Sequence, residues 1–404
     1  MELLSNLFLP VCKGCDAITL MKQSGADFAI IGAGVFGVWT AYLLRQRGHN
    51  VTLIDAHGAG GPRSSSGDES RVIRMGYGGA KIYTSWAARS LQLWKEFFRA
   101  TGHALFVNTG VLWLAPETDL YTHQVVDSLL SEHINHEKLS VQEIAARFPQ
   151  IGLDRVSFGV FEPDSGVLLA RKSVQAVLEE AIKAGVHYFI DPILPPFSRS
   201  PRLEHVQTRA GKAISADIFI FACGAWLPGI FPDILGSQIF PTRQEVFYFR
   251  TPAGTTQFEP PEMPVWLHHE DQMYGLPNIE NRGVKIASDR HGERFDPESG
   301  DRTVGPLATE QMRAYVRCRL SGLQDAPLLD ARVCQYENTS NGDFLIDRHP
   351  QFENGWLVGG GSGHGFKHGP AVGQHAVERI LGLLEPEERF SLSTKLQVQL
   401  RTIY

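Results

Sequence analysis

The stretch "DFAIIGAGVFGVWTAYLLRQRGHNVTLIDA", residues 27–56, constrains the chain more than any other. Residues 29–31 read as a short apolar strand. Apolar residues then recur at helical spacing as far as Leu44, Gly48 stops the helix, and a second strand ends on Asp55. Gly32, Gly34 and Gly37 form GxGxxG between strand and helix. Gly32 permits the tight turn, Gly34 lets backbone approach a pyrophosphate, and Gly37 lets the helix sit against the sheet. Val35 and Phe36 stand at the helix N-terminus that faces the phosphates. Asp55, 23 residues after Gly32, is placed to accept hydrogen bonds from an adenosine ribose. A bare GxGxxG means little, but strand before, helix after and acid at this distance make a dinucleotide-binding unit. The motif alone does not separate NAD from FAD. The uncharged run 28–44 is marginal for a membrane span and is broken by three glycines, so the βαβ reading is preferred.

The rest of the chain is read coarsely. Residues 56–79 are loop-like. A helix follows over 81–101, short strands around 104–116, helices near 117–133 and 141–148, strands near 157–169 and a helix over 171–185. "AISADIFIFACGAW" is a buried strand ending in a glycine turn. Residues 240–290 alternate in polarity, as an antiparallel sheet does. Another helix covers 308–320, and strands at 330–337, 344–347 and 355–359 lead to "GSGHGFKHGP", residues 361–370, with a helix to about 384. This pattern predicts an α/β fold with an α+β substrate part: a Rossmann-type domain interleaved along the chain with an antiparallel β-sheet domain. A nucleotide fold closed over its ligand from both termini suits FAD better than NAD, because FAD is long and its isoalloxazine ring reaches another domain. The expected boundaries are an extension at 1–25, an FAD-binding domain from 26–105, 165–235 and 325–390, a substrate domain from 106–164 and 236–324, and a tail at 391–404.

Composition excludes some partners. The net charge of −6 leaves no basic surplus to draw the chain onto nucleic acid or an anionic membrane. Five cysteines in 404 residues argue against a disulfide framework and for a reducing compartment, the cytoplasm or another reducing intracellular one. Cys12 and Cys15 form a CxxC without further ligands nearby, so they read as free thiols on the extension, and no metal site is expected. Met21 is a candidate true start.

Four stretches together resemble the sarcosine oxidase-like flavin amine oxidases of the D-amino-acid-oxidase superfamily. They are "IGAGVFG" with "LIDA", "GDESRVIRMGYG", "ARVCQYENTSNGDFLIDRHP" and "GSGHGFKHGP", with support from "FACGAW" and the lysine of "GVKIAS". The resemblance runs from residue 26 to 385. It implies FAD held by Gly32, Gly34, Val35, Phe36, Gly37, Asp55, Ser70, Arg71, Gly224, Trp226, Gly363, His364 and Gly365, with a thioether from Cys334 to the flavin. It also implies Lys367 over the ring, where with Arg74 it grips a substrate carboxylate, the planar guanidinium in bidentate fashion. Met273 and Tyr274 would flank the substrate. Lys285 would stand on the oxygen side, where a fixed cation at about 4 Å and an effective dielectric of about 20 is worth on the order of 4 kcal/mol to developing superoxide.

The implied reaction moves a hydride from the carbon beside nitrogen to flavin N5. It gives an imine that water hydrolyses, and O2 becomes H2O2. The expected substrate is a secondary amine or an amino acid of the sarcosine or N-methyl type. Cyclic, glycated and primary amino acids are alternatives, as is a dehydrogenase using a non-oxygen acceptor. A monooxygenase would want an NAD(P)H site, and no second complete fingerprint is present. A flavin-binding protein without turnover would not need Arg74, Lys285 and Lys367. The chain departs from the family pattern at Gly67, where a histidine is common, and at Met273 and Asp289, where sarcosine oxidase has tyrosine and histidine. The flavin machinery is kept and the substrate pocket altered. The chain is expected to act as a monomer or small homo-oligomer.

Overall fold

A computed structural model describes residues 27–398. The extension expected at 1–25, with Cys12, Cys15 and Met21, lies outside the described residues.

The apolar strand Asp27–Ile31 is central to a six-stranded sheet ordered 345–348, 355–359, 218–221, 27–31, 50–55, 187–190. All its pairings are parallel except that of the edge strand 345–348 with 355–359. A strand buried on both faces reads as an unbroken apolar run, which is why "FAII" was legible. The edge strand His187–Ile190 was not expected; it has four residues and exposed ends, so no periodicity announces it. Gly32 takes φ +105, and a Cβ there would sit 2.2 Å from the Ala222 carbonyl oxygen. A Cβ on Gly37 would sit 1.8 Å from the Gly32 carbonyl oxygen, so turn, helix and sheet close only with glycine at both positions.

The helix Val35–Gln46 lies between the helices Ala170–Lys183 and Gly369–Ile380. Its Trp39 meets Trp94 and Phe97 of the helix Lys81–Thr101 edge-on, with centroids 5.1 and 5.2 Å apart. Burying such a side chain contributes roughly 1.5–3 kcal/mol by area. Lys81–Thr101 stops where Gly102 adopts φ 74 and returns its N–H to the Phe98 carbonyl.

The alternating region joins an eight-stranded sheet ordered 328–339, 239–249, 284–288, 273–276, 265–268, 111–115, 158–162, 137–140. It is antiparallel except between 265–268 and 111–115. The strand Leu328–Thr339 is paired with 239–249 along its length, and the chain then crosses to the six-stranded sheet at 345–348. That crossing places Cys334 to Glu337 beside the glycine loop 361–365. Residues 56–79 are not all loop: Ser70–Ile73 pairs antiparallel with Gly166–Leu169 in a three-stranded sheet. Only tertiary pairing makes this segment a strand. Its extended backbone carries the two arginines apart, Arg71 toward Cys334 and Arg74 over Tyr77 and Trp113.

Candidate active site

Two adjoining spaces lie where the two large sheets meet. The larger is a cavity of about 440 Å³ whose wall includes Gly32, Gly34, Val35, Phe36, Asp55, Gly224, Trp226, Cys334, Gly363 and Gly365. The smaller, about 60 Å³, is lined by Ser70, Arg74, Tyr274, Lys285, Asp289, His364 and Lys367 among others. Arg71, Tyr336, Gly363 and Phe366 line both.

In the larger cavity Asp55 ties the glycine turn to the end of its strand. Its Oδ2 accepts from the Ala33 N–H at 2.6 Å and its Oδ1 from the His57 N–H at 2.8 Å. At the helix start, the Val35 N–H donates to Ser66 Oγ at 3.2 Å. Trp226 Nε1 donates to Glu298 Oε2 at 3.2 Å. Cys334 Sγ accepts from Arg71 Nη2 at 3.3 Å, and the same guanidinium donates to the Ser65 carbonyl at 2.9 Å and to Asp68 Oδ2 at 2.6 Å. Glycines 363 and 365 meet protein atoms: a Cβ would lie 2.7 Å from the Tyr336 ring or 2.9 Å from Phe36. Packing alone therefore demands glycine at those two positions.

Lys285, in the strand Val284–Ser288, is 2% exposed. Its ammonium donates to Asp68 Oδ2 and, at 2.9 Å, to the Ser70 carbonyl. Asp68 also accepts from Tyr248 O–H and the Glu69 N–H, both at 2.8 Å. Burial alone would raise the Asp68 carboxyl, but Lys285 and Arg71 hold it well below the usual carboxylate range. Burial pulls Lys285 below the ordinary lysine value, with Asp68 opposing.

Arg74 is 4% exposed, donates to the Gly76 carbonyl, and lies 4.5 Å over the Tyr77 ring and 4.7 Å over Trp113. The turn carrying it is shaped by Glu162. That carboxylate accepts from the N–H groups of Met75 and Gly76 at 2.7 and 3.0 Å, from Trp113 Nε1 at 2.8 Å and from Ser165 Oγ at 2.6 Å. Burial works against the Arg74 charge, but Tyr121, Tyr77, Asp289 and Glu162 leave its pKa raised.

Lys367 donates to Tyr77 Oη at 2.8 Å and to the His364 carbonyl at 3.1 Å. Burial and then Arg74 push it well below the ordinary lysine value. His364 Nε2 is 3.1 Å from the Gly342 carbonyl, which only accepts, so Nε2 carries the proton. The Tyr77 hydroxyl, which accepts from Lys367, also lies 3.3 Å from His364 Nδ1 and 2.8 Å from His368 Nε2.

Tyr274 is brought to the smaller space, but Met273 is not. Successive strand residues point to opposite faces, and Met273 packs into the second apolar cluster with Trp266 and Leu112. Ser70 and His364, expected at the cofactor, line the smaller space. Asp68, Tyr77, Glu162 and Tyr336 were not singled out from sequence. Asp68 was visible within "GDESR"; the partners of the others lie far away in sequence.

Among the described residues no helix is long and apolar enough to cross a membrane, and no group of three or more His, Cys, Asp or Glu is arranged to hold a metal ion. A Rossmann-type cavity meeting a second sheet across a buried, cation-rich hollow defines a nucleotide-dependent oxidoreductase. The chain belongs to the FAD-dependent oxidoreductase family called DAO, whose model matches residues 27–379. It is 29% identical over 358 residues to monomeric sarcosine oxidase of Bacillus sp. (strain B-0618), covering 86% of this chain and 90% of that one. It is 28% identical over 359 residues to N-methyl-L-tryptophan oxidase of Salmonella heidelberg (strain SL476), covering 88% and 95%. The fold is shared with L-proline dehydrogenase from P. horikoshii, with TM-score 0.80, 19% identity and 91% of this chain and 97% of that one covered.

The larger cavity fits FAD. A Cβ on Gly34 would meet only Ser66 Oγ, at 3.5 Å, and one on Gly361 only the Gly365 Cα, at 3.8 Å. Both glycines line the cavity, so their bare backbone leaves room for a ligand to come close. His57 Nε2, Ser64 Oγ and Glu337 Oε1, on residues of the same wall, have no hydrogen-bond partner among the described residues.

Proposed function

We propose that this chain oxidises the C–N bond of a small carboxylate-bearing amine, a secondary amino acid of the sarcosine or N-methyl type, with O2 as the final acceptor. One observation carries the reading: Arg74 and Lys367 are both buried, share Tyr77, and line a small hollow next to the cofactor cavity. A substrate carboxylate entering that hollow would meet both side chains, the guanidinium giving a fork and the ammonium a point charge. The relatives named for sarcosine and N-methyl-L-tryptophan support this substrate class.

Bound FAD supplies the two-electron acceptor that the reaction needs. The chain supplies the rest. The helix start at Val35 and Phe36, with Asp55, Gly224 and Trp226, holds the dinucleotide. Cys334, already beside Arg71, is the proposed thioether donor. Arg74 and Lys367 orient the carboxylate, and Tyr274 and Tyr336 wall the hollow, so catalysis by these residues is positioning. Lys285 provides the fixed cation for oxygen, with Asp68 holding its ammonium in place. In this reading segments 26–105, 165–235 and 325–390 bind FAD and segments 106–164 and 236–324 form the substrate side, with strand 328–339 of the FAD-binding part pairing into the eight-stranded sheet. Free thiols at Cys223, Cys318 and Cys334 suit a reducing compartment.

Asp289 favours a second reading. It lines the hollow and accepts from Tyr336 O–H at 3.1 Å. A carboxylate there suits an N-substituent rich in hydroxyl or N–H donors, as in a glycated amino acid. Peroxide formation with N-alkyl, cyclic, glycated and primary amino acids tests both readings. Turnover of N-methyl amino acids supports the first, preference for glycated ones the second, and no turnover of any contradicts both.

A further inference from the structure

The strand Leu328–Thr339 carries one more acid to the wall of the larger cavity, and nothing above uses it as an acid. Glu337 is 6% exposed. Its Oε2 accepts the Gly361 N–H at a long 3.5 Å and lies 3.9 Å from where a Cβ on Gly224 would be. Gly224 and Gly361 both line the cavity, which puts Oε2 at its wall. Oε1 sits over Gly359, 2.4 Å from where its Cβ would be, without a partner among the described residues.

No cation faces this carboxyl from the described elements packed around it. The paired strand 239–249 puts Pro241 opposite. The strand 355–359 offers Gly359, and the glycine loop offers the Ser362 N–H, which bonds the Glu337 backbone carbonyl at 2.9 Å. The turn at 223–226 brings Cys223, whose thiol is pushed up by burial, by Asp55 and by Glu337 itself. The groups that face Glu337 are thus neutral or negative. FAD adds a diphosphate to the same cavity, so an ionised Glu337 would repel the ligand.

We infer that Glu337 contacts FAD as a protonated carboxylic acid, a hydrogen-bond donor in the cavity wall, so that FAD binding takes up one proton wherever the free protein holds Glu337 ionised. The inference rests on the FAD assignment and is independent of the substrate. Burial raises the Glu337 carboxyl to about 7 against the backbone N–H groups of Gly360 and Gly361, which favour its charged form, consistent with this role. Glu337 is a positioning residue for the cofactor: its proton sits between carboxyl and ligand, and no electrons move.

The sign follows from linkage. Below about pH 7 Glu337 is already protonated and FAD affinity is flat; above it each binding event must first recruit a proton. Cys334→Ala removes any thioether and makes FAD exchangeable. In that full-length variant, the FAD dissociation constant measured by equilibrium dialysis is expected to rise about tenfold per pH unit above pH 7. Adding Glu337→Gln, a neutral donor at every pH, is expected to flatten the profile while keeping the affinity. A profile unchanged by Glu337→Gln, or flat in Cys334→Ala itself, overturns the inference. Should Cys334→Ala not fold, the thermal midpoints of wild-type and E337Q holoenzyme replace it. Their difference must change above pH 7, and a constant difference overturns the inference. A chain that binds no FAD at any pH contradicts the family cofactor, and this inference with it.

Discussion

A lysine ammonium with 2% of its surface exposed needs a counter-charge, and Asp68 provides it. Removing one partner of a buried pair leaves an uncompensated charge. Asp68→Asn is therefore expected to cost about 3–5 kcal/mol in denaturant unfolding of the holoenzyme. Because the Asp68 pKa is depressed, its contribution is complete above the ordinary value of 3.8 and is lost only as pH falls toward its folded value. Wild-type stability should not lose this contribution between about pH 5 and 8; loss of a D68N-sensitive increment within that window would contradict the pairing. Arg74 and Lys367 are instead proposed to act on the ligand. Arg74→Met or Lys367→Met is expected to raise KM for a carboxylate substrate by about tenfold or more, a charge-assisted hydrogen bond being worth roughly 1.5–3 kcal/mol. Unchanged KM in both variants would remove them from the substrate site.

At the scale of elements, the glycine turn is the most exacting. Gly32→Ala would force a Cβ against the Ala222 carbonyl at a positive φ, moving the helix start that lines the cofactor cavity. The variant is expected to be purified with little or no flavin absorbance; full FAD content would show that the turn tolerates the shift. The same elements explain what sequence could reveal. The βαβ unit was legible because its strands are apolar runs, its helix is periodic and its glycines sit at fixed offsets. The glycine loop 361–370 stood out because ten residues containing four glycines need a reason. The strand Ser70–Ile73 was hidden, since its pairing with Gly166–Leu169 is set by tertiary contact. So was the inward turn of Tyr274 and the outward turn of Met273, because an alternating strand gives the period but not which face meets the site. The Tyr77 cluster joins residues 287–291 positions apart, and no local pattern encodes such a meeting.

For the whole molecule, the proposed function lies in the junction of the two large sheets, where the larger cavity opens beside the small hollow. Strand 328–339 belongs to one sheet and the loop 361–365 follows a strand of the other, so the chain brackets the larger cavity from both. The thioether proposed at Cys334 predicts that acid-precipitated wild-type protein stays yellow and that Cys334→Ser releases its flavin into the supernatant. A colourless wild-type pellet would make attachment non-covalent without touching the cavity assignment. The most direct test is anaerobic titration of the purified holoenzyme, followed by the visible absorbance of its oxidised flavin. Small secondary amino acids are expected to bleach it stoichiometrically, while their decarboxylated analogues leave it oxidised. Equal bleaching by the two sets, or none by either, would contradict the claim that buried Arg74 and Lys367 seize a carboxylate beside the flavin.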